Sequence, residues 1–248
     1  MIHSFLLIGQ SNMAGRGLIE EAVPVDNTNI KIMRNGRWQK MFRPINPDRR
    51  FSGVSLAESF AEKYAQKYGV EVGLICCADG GTSLDQWRKG EILYDNAVFH
   101  LQMARRTSAI AGILWHQGEG DCSKELSATY EERFLQFLDD FRADTGTENI
   151  PFVTGGLGDF LSECKLSCEL INYLKINQAF KNAAGKRRLV AFADATGLTA
   201  NPDNLHFNAK SLHEFGLRYF EEYERIASER KLIFTENSDS QRTKMEEL

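Results

Sequence analysis

The feature that most constrains the fold is an alternation of short apolar runs, rich in β-branched residues, with longer amphipathic segments. This alternation is typical of parallel strands joined by helical crossovers, since each crossover carries the chain back to the same end of the sheet. Five runs fit buried strands: residues 4–8, 70–76, 110–115, 152–154 and 189–193. We therefore expect a three-layer α/β/α domain with a parallel sheet of about five strands.

Local signals at the ends of elements add detail to this prediction. The dipeptide Asn35-Gly36 is typical of a type I′ hairpin turn, so we expect a small β-ribbon that decorates the fold there. A helix is predicted over residues 55–68, closed by Gly69. The last helix is expected over residues 209–228.

The length of 248 residues suits one large domain, which can bury a core without disulfides or a metal. From residue 235 onward the chain is polar and has almost no core-forming side chain. We therefore expect one domain over residues 1–234 and a disordered tail over residues 235–248.

Composition excludes several function classes. A formal net charge of −4 provides no basis for a nucleic-acid or membrane-surface partner, because such partners need a concentrated basic face. No signal-peptide pattern opens the chain, which favours a cytoplasmic location. The spacing of the cysteines fits free buried thiols better than a disulfide framework or a zinc site: Cys76, Cys77, Cys122, Cys164 and Cys168.

Four segments that can carry chemistry each follow a predicted strand, where ligands bind in open α/β sheets. They are Gly-Gln-Ser-Asn-Met at residues 9–13, Asp-Gly-Gly-Thr-Ser at 79–83, Trp-His-Gln-Gly-Glu-Gly-Asp at 115–121, and Asp-Asn-Leu-His-Phe at 203–207. Each segment also has a purely structural explanation when it is taken alone.

Ser11, on a tight strand-to-helix turn, can present its hydroxyl to a cleft, or it can simply cap a helix. The paired glycines after Asp79 can expose an N–H donor or form an ordinary turn. The third segment favours function, because a structural loop seldom gathers so many costly polar groups. Asp203, three positions before His206, can hold the imidazole in the tautomer that accepts a serine proton, or can act as a cap beside a surface histidine.

In order and content the four segments resemble those of the SGNH (GDSL-like) hydrolases. Within them the chain is most similar to the branch of sialate O-acetylesterases and family 6 carbohydrate esterases, which carry Gly-Gln-Ser-Asn-Met and His-Gln-Gly-Glu segments. The resemblance covers about residues 5–219. It implies a flavodoxin-like sheet, with Ser11 as nucleophile, His206 as base and Asp203 as the orienting acid.

The resemblance also implies an oxyanion hole formed by the N–H groups of Ser11 and Gly81 and the side-chain amide of Gln117. Two questions stay open at this stage. Glu119 could orient His206 in place of Asp203 or together with it. The carboxylate of Asp79 could lie near the oxyanion hole, where its charge would matter, or it could point to solvent.

Three further residues have two interpretations each. Trp87 could stack on a sugar ring or fill the core. Arg16, near the nucleophile turn, could bind a substrate carboxylate or lie on the surface. His116 neighbours Gln117 but could point to the opposite side of the sheet end.

These features together predict a serine esterase that removes O-acetyl groups from a carbohydrate, such as an acetylated sugar, a xylan-type chain or sialic acid, through an acyl-enzyme. The expected partner is a small-molecule or oligosaccharide ester, and no metal or organic cofactor is expected. The alternatives are a short-chain, lipid or thioester esterase with the same triad, and a non-catalytic carbohydrate-binding protein on this scaffold.

Overall fold

A seven-stranded sheet forms the centre of the molecule in the computed structural model, which describes residues 1–165 and 168–246, with side chains over 1–165 and 170–228. The strand order is β3-β2-β4-β1-β5-β6-β7. The strands are β1 (Ile2–Gly9), β2 (Ile30–Arg34), β3 (Arg37–Lys40), β4 (Val72–Cys76), β5 (Ser108–His116), β6 (Phe152–Gly155) and β7 (Val190–Ala193).

Helices cover both faces of the sheet, which confirms the predicted three-layer architecture. Their bounds are α1 (Ser11–Ala14), α2 (Ala57–Tyr68), α3 (Ile92–Ala104), α4 (Lys124–Thr145), α5 (Tyr173–Lys186) and α6 (Ala209–Glu246). Side chains of α2 and α6 build one apolar core against the sheet, and side chains of α3, α4 and α5 build the other. Each face of the sheet therefore has its own buried layer.

The sheet has more strands than the sequence predicts. Parallel pairings join all strands except β3, which runs antiparallel to β2. The predicted hairpin turn is confirmed by positive φ angles of 50° at Asn35 and 71° at Gly36. Its ribbon does not merely decorate the fold, however: Ile30 and Ile32 of β2 are fully buried, and β2 pairs with β4. The expected count of about five strands was low because this ribbon extends the sheet.

The last helix spans Ala209–Glu246, whereas the sequence analysis expects it to end at residue 228. The division of the chain at residue 234 stays a prediction, because the side chains of 235–246 and all of 247–248 lie outside the described residues. No helix among the described residues is both long and apolar enough to cross a membrane. Four of the five cysteines are free thiols, and the side chain of Cys168 lies outside the description.

Strand β1 positions the site. Strands β2 and β4 lie on one side of it and β5, β6 and β7 on the other, so the order of the chain reverses at β1. In open α/β sheets a crevice forms at such a reversal, beyond the carboxyl ends of the strands. The loops that follow β1, β4 and β5 meet in this crevice, and the loop between β7 and α6 reaches it from further along the sheet.

Candidate active site

The nucleophile turn is held tightly against the end of β5. Gly9 has φ +121°, and a Cβ placed there would lie 2.1 Å from the carbonyl oxygen of His116. The N–H of Gln10 donates to that same oxygen at 2.8 Å. Because only glycine fits this approach, the chain can turn at once from β1 into α1. Ser11 then opens α1 with its side chain at the cleft.

The structure brings Ser11, His206 and Asp203 together, as the sequence predicts. His206 Nε2 lies 3.0 Å from Ser11 Oγ, and His206 Nδ1 lies 2.7 Å from Asp203 Oδ2. An ionised carboxylate accepts only, so Nδ1 carries the proton and Nε2 is free to accept the serine hydroxyl hydrogen. This is the relative placement of groups that nucleophilic catalysis by serine requires.

Asp203 is itself fixed by the backbone that follows it. Its Oδ1 accepts the N–H groups of Leu205 at 2.9 Å and of His206 at 3.0 Å. Partial burial raises the pKa of Asp203, but these hydrogen bonds and the bond to the His206 side chain outweigh burial and hold that pKa below its usual value. The carboxylate therefore stays ionised at neutral pH.

Two residues in the cleft lining have backbone N–H groups that are free to donate. The cleft has a volume of about 410 Å³, and both Ser11 and Gly81 line it. Within the described part of the chain, neither the N–H of Ser11 nor that of Gly81 has an acceptor. The N–H of Gly80 instead donates to Asp48 at 2.8 Å. The choice of Gly81 over Gly80 as a candidate donor is consistent with this arrangement.

Gln117 does not occupy the position predicted for the third donor. Its side chain is fully buried, and its Nε2 donates both hydrogens, to Thr82 O at 3.0 Å and to Asp121 Oδ2 at 2.6 Å. Its Oε1 accepts from the Tyr130 hydroxyl at 2.7 Å. A flipped amide would set Oε1 against two acceptors, so the network fixes this orientation. The prediction that Gln117 donates to an oxyanion is wrong because both of its amide hydrogens are already used.

The sequence analysis missed another side-chain amide, which lies next to Ser11. Gln10 lines the cleft beside Ser11, and its Oε1 accepts the N–H groups of Gly118 and Gly120, each at 3.3 Å. The carbonyl end of the amide is thereby fixed, which leaves the NH₂ end for the cleft. The available signal was position, since Gln10 directly precedes the candidate nucleophile.

Glu119 does not replace Asp203 beside the imidazole. Its Oε1 instead accepts from Asn12 Nδ2 at 2.5 Å and lies 3.5 Å from His116 Nε2. Burial raises the pKa of Glu119, but its interaction with the nearby His116 ring and the hydrogen bond from Asn12 outweigh burial and leave that pKa below its usual value. Asn12 Oδ1 in turn accepts the N–H of Phe207 at 3.1 Å. Glu119 therefore acts on the loop that carries His206 through Asn12.

His116 points away from the cleft, into the core. Its ring is fully buried, and its Nδ1 lies 3.2 Å from the hydroxyl of Tyr219. That hydroxyl donates its hydrogen to Trp115 O at 2.8 Å, so His116 Nδ1 is the donor to Tyr219. The opposite ring nitrogen, Nε2, is thereby placed 3.5 Å from Glu119 Oε1, on the core side of that carboxylate.

The remaining open questions are settled by burial and charge pairing. Asp79 pairs with Arg49 at 2.7 Å and is not part of the cleft lining, so its charge is compensated by that arginine. Trp87 is fully buried, and its Nε1 donates to Thr82 Oγ1 at 3.1 Å, so it fills the core. Arg16 lines the cleft, but both of its terminal nitrogens donate to Asp48, at 3.0 and 2.7 Å, so the guanidinium is engaged within the protein.

The sequence matches a known protein family over most of its length. The family model described as "Carbohydrate esterase, sialic acid-specific acetylesterase" matches residues 1–225. The match spans all four segments, from the nucleophile turn to the loop that carries His206.

Individual proteins agree with the family match. A probable carbohydrate esterase of Arabidopsis thaliana is 26% identical over 249 residues, which cover 88% of this chain and 89% of that protein. The X-ray structure of this plant protein has a TM-score of 0.80 and 25% identity, over 90% of this chain and 98% of that one. A carbohydrate acetylesterase from Xanthomonas citri shares the fold, with a TM-score of 0.70 and 18% identity, over 91% of this chain and 56% of that one.

Proposed function

The chain belongs to the sialic acid-specific acetylesterase family of carbohydrate esterases and removes O-acetyl groups from a carbohydrate, and we propose that Ser11, His206 and Asp203 carry out this hydrolysis. The single observation that carries the proposal is the hydrogen-bonded chain from Ser11 through His206 to Asp203, with links of 3.0 and 2.7 Å. The substrate class is a small-molecule or oligosaccharide ester.

The first half of the reaction acylates the enzyme. Ser11 Oγ attacks the acetyl carbonyl carbon while its proton passes to His206 Nε2, which forms an imidazolium. Asp203 stabilises that cation from the Nδ1 side. The tetrahedral intermediate then collapses, His206 gives the proton to the sugar oxygen, and the deacetylated sugar leaves.

Charge on the carbonyl oxygen builds up next to the backbone donors. We assign the N–H groups of Ser11 and Gly81 and the side-chain NH₂ of Gln10 to this oxyanion. They are fixed before the substrate arrives, so little reorganisation is needed as the negative charge develops. The glycines bonded to Gln10 hold its amide in place, which keeps its donor end toward the cleft.

The second half of the reaction regenerates the serine. A water molecule enters the open cleft, gives a proton to His206 Nε2 and attacks the acetyl carbonyl. Collapse of the second tetrahedral intermediate releases acetate, while the proton returns to Ser11 Oγ.

The test is release of acetate from an acetylated methyl xyloside by wild type and by Ser11→Ala. Loss of the nucleophile is expected to lower turnover by about 10⁶, the factor seen in a well-studied serine hydrolase. Ser162→Ala is the matched control, because Ser162 is an exposed serine outside the cleft lining whose hydroxyl donates to the Asp159 carbonyl. Ser11→Ala with turnover equal to that of the control would refute the proposal.

A further inference from the structure

The hydrolysis mechanism fixes where the sugar must lie. His206 protonates the leaving oxygen, so the alcohol half of the ester has to sit beside that imidazole. The oxyanion donors Ser11 and Gly81 face the main cleft. A second hollow of about 370 Å³ adjoins it at His206, and its lining includes Arg16, Leu18, Phe51, Pro202, Asp203 and His206. We call this the His206 hollow.

An exposed aromatic ring separates the two hollows. Phe51 lines both, and 67% of its surface is accessible. One side of the ring is supported by the Arg16 guanidinium, whose Cζ lies 5.3 Å from the ring centroid. Arg16 is in turn fixed by Asp48. Because Phe51 lines both hollows and is held from one side by Arg16, its ring can contact a ligand bound beside His206.

The charges around the His206 hollow disfavour an anionic ligand. Among the described residues that line this hollow, Arg16 is the only arginine or lysine. Its terminal nitrogens donate to Asp48 and to Gly15 O. The Asp203 carboxylate lies on the same wall. An incoming carboxylate would meet the ionised Asp203 and a guanidinium whose charge is already paired with Asp48, which costs free energy. An uncharged ring meets no such penalty.

We propose that the His206 hollow is the subsite for the sugar of the leaving alcohol, and that it takes an uncharged pyranose whose C–H face stacks on Phe51. The hydrogens on that face are slightly positive and the face of an aromatic ring is negative, so the two attract each other as well as burying apolar surface. Leu18, 41% exposed, extends the apolar wall beside the ring. The proposal rests on the proposed function and assigns its substrate class.

The test compares two acetyl esters that share the acyl group and differ in the alcohol: monoacetylated methyl xyloside and ethyl acetate. For Phe51→Ala we expect kcat/KM on the xyloside to fall about tenfold, which corresponds to about 1.4 kcal/mol. On ethyl acetate the change should stay below about twofold, because that alcohol does not reach the ring. Phe51→Tyr keeps the aromatic face and should restore most of the loss.

The matched control is Phe42→Ala. Phe42 is also exposed, at 44%, and also packs against an arginine, with Arg34 Cζ 4.4 Å from its centroid. It lines neither hollow. We expect its kcat/KM on both esters to match that of wild type, which separates stacking on sugar from a general effect of removing a surface aromatic ring.

Three results would overturn the subsite. An equal loss on both esters would mean that Phe51 supports the triad rather than the sugar. An unchanged kcat/KM on the xyloside would mean that the ring does not contact the sugar. A higher kcat/KM on acetylated sialic acid than on the xyloside would contradict the uncharged ligand. In each case wild type still releases acetate from a sugar, so the proposed function stands; no release from any acetylated sugar would refute both.

Discussion

Mutation of the two glutamines at the site is predicted to affect different properties: kcat for Gln10 and folding stability for Gln117. The Gln10 amide donates to the oxyanion in our account, whereas the Gln117 amide is part of the buried framework. Removal of one oxyanion donor typically costs a factor of about 10² to 10³ in kcat, or about 2.7 to 4 kcal/mol, with little effect on ground-state binding. We expect that loss for Gln10→Ala, with KM near the wild-type value.

Gln117→Ala should act on folding instead. It removes the side-chain amide that pairs with the Tyr130 hydroxyl and the Thr82 carbonyl, while Asp121 keeps bonds to Arg133 at 2.9 Å and to the Leu84 N–H at 2.7 Å. Each buried group that loses its partner costs about 1 to 3 kcal/mol. Two such groups give about 2 to 6 kcal/mol, which for a chain of this size lowers Tm by about 4 to 24 °C.

The assay pairs acetate release at saturating substrate with thermal unfolding followed by circular dichroism. Gln10→Glu is the sharper variant, because a carboxylate still accepts the N–H groups of Gly118 and Gly120 but has no hydrogen to donate. It should keep a Tm close to wild type and lose at least as much kcat as Gln10→Ala. If Gln10→Glu kept full kcat, or Gln117→Ala lost 100-fold in kcat with an unchanged Tm, the assignment of the two amides would be wrong.

Three other variants test the surrounding geometry. Asp203→Asn should lower kcat by a factor of about 10⁴ in the acetate assay, because the imidazole loses the acceptor that sets its tautomer. A loss of less than tenfold would count against the role of Asp203. Gly9→Ala should lower the free energy of unfolding by about 1 to 3 kcal/mol for the strained backbone alone, and by more for the contact with His116 O, so its Tm should fall; an unchanged Tm would show that the turn can relax. Burial raises the pKa of Asp48, but the bonds from Arg16 outweigh burial, so the pKa is lower in the folded protein than in the unfolded chain. The ionised Asp48 therefore stabilises the fold at any pH above the usual Asp pKa of about 3.9, and this stabilisation is lost as pH falls through the lowered pKa. Asp48→Asn should therefore have a lower Tm than wild type at neutral pH and a smaller loss of Tm from pH 5 to 2; equal pH profiles would contradict this.

The triad could be predicted from sequence because parallel topology does most of the positioning. Ser11 follows β1 and His206 precedes α6, and loops at the carboxyl end of one sheet converge wherever they lie in the chain. Asp203 and His206 are three residues apart, so their contact depends only on the local conformation of one loop. The strand count was harder, because a hairpin signal does not tell whether the ribbon joins the main sheet; the burial of Ile30 and Ile32 decides that.

The orientation of individual side chains at the site could not be predicted. Gln10 and Gln117 have the same chemistry and both follow strands, and only the three-dimensional network shows which amide has free hydrogens. From its residue type alone, Trp87 could have stacked on a sugar ring, yet it is buried against Trp115. Phe51 lies in a loop without helical or strand periodicity, so no pattern marked its ring as exposed.

The most direct test of the account is to treat folded protein with a fluorophosphonate and locate the adduct by peptide mass spectrometry. A serine activated by His206 should carry one phosphonyl group, on Ser11, and His206→Ala should abolish or greatly slow the labelling. Folded wild-type protein that stays unlabelled, or that carries the group on another serine, would contradict the assignment of Ser11 as nucleophile.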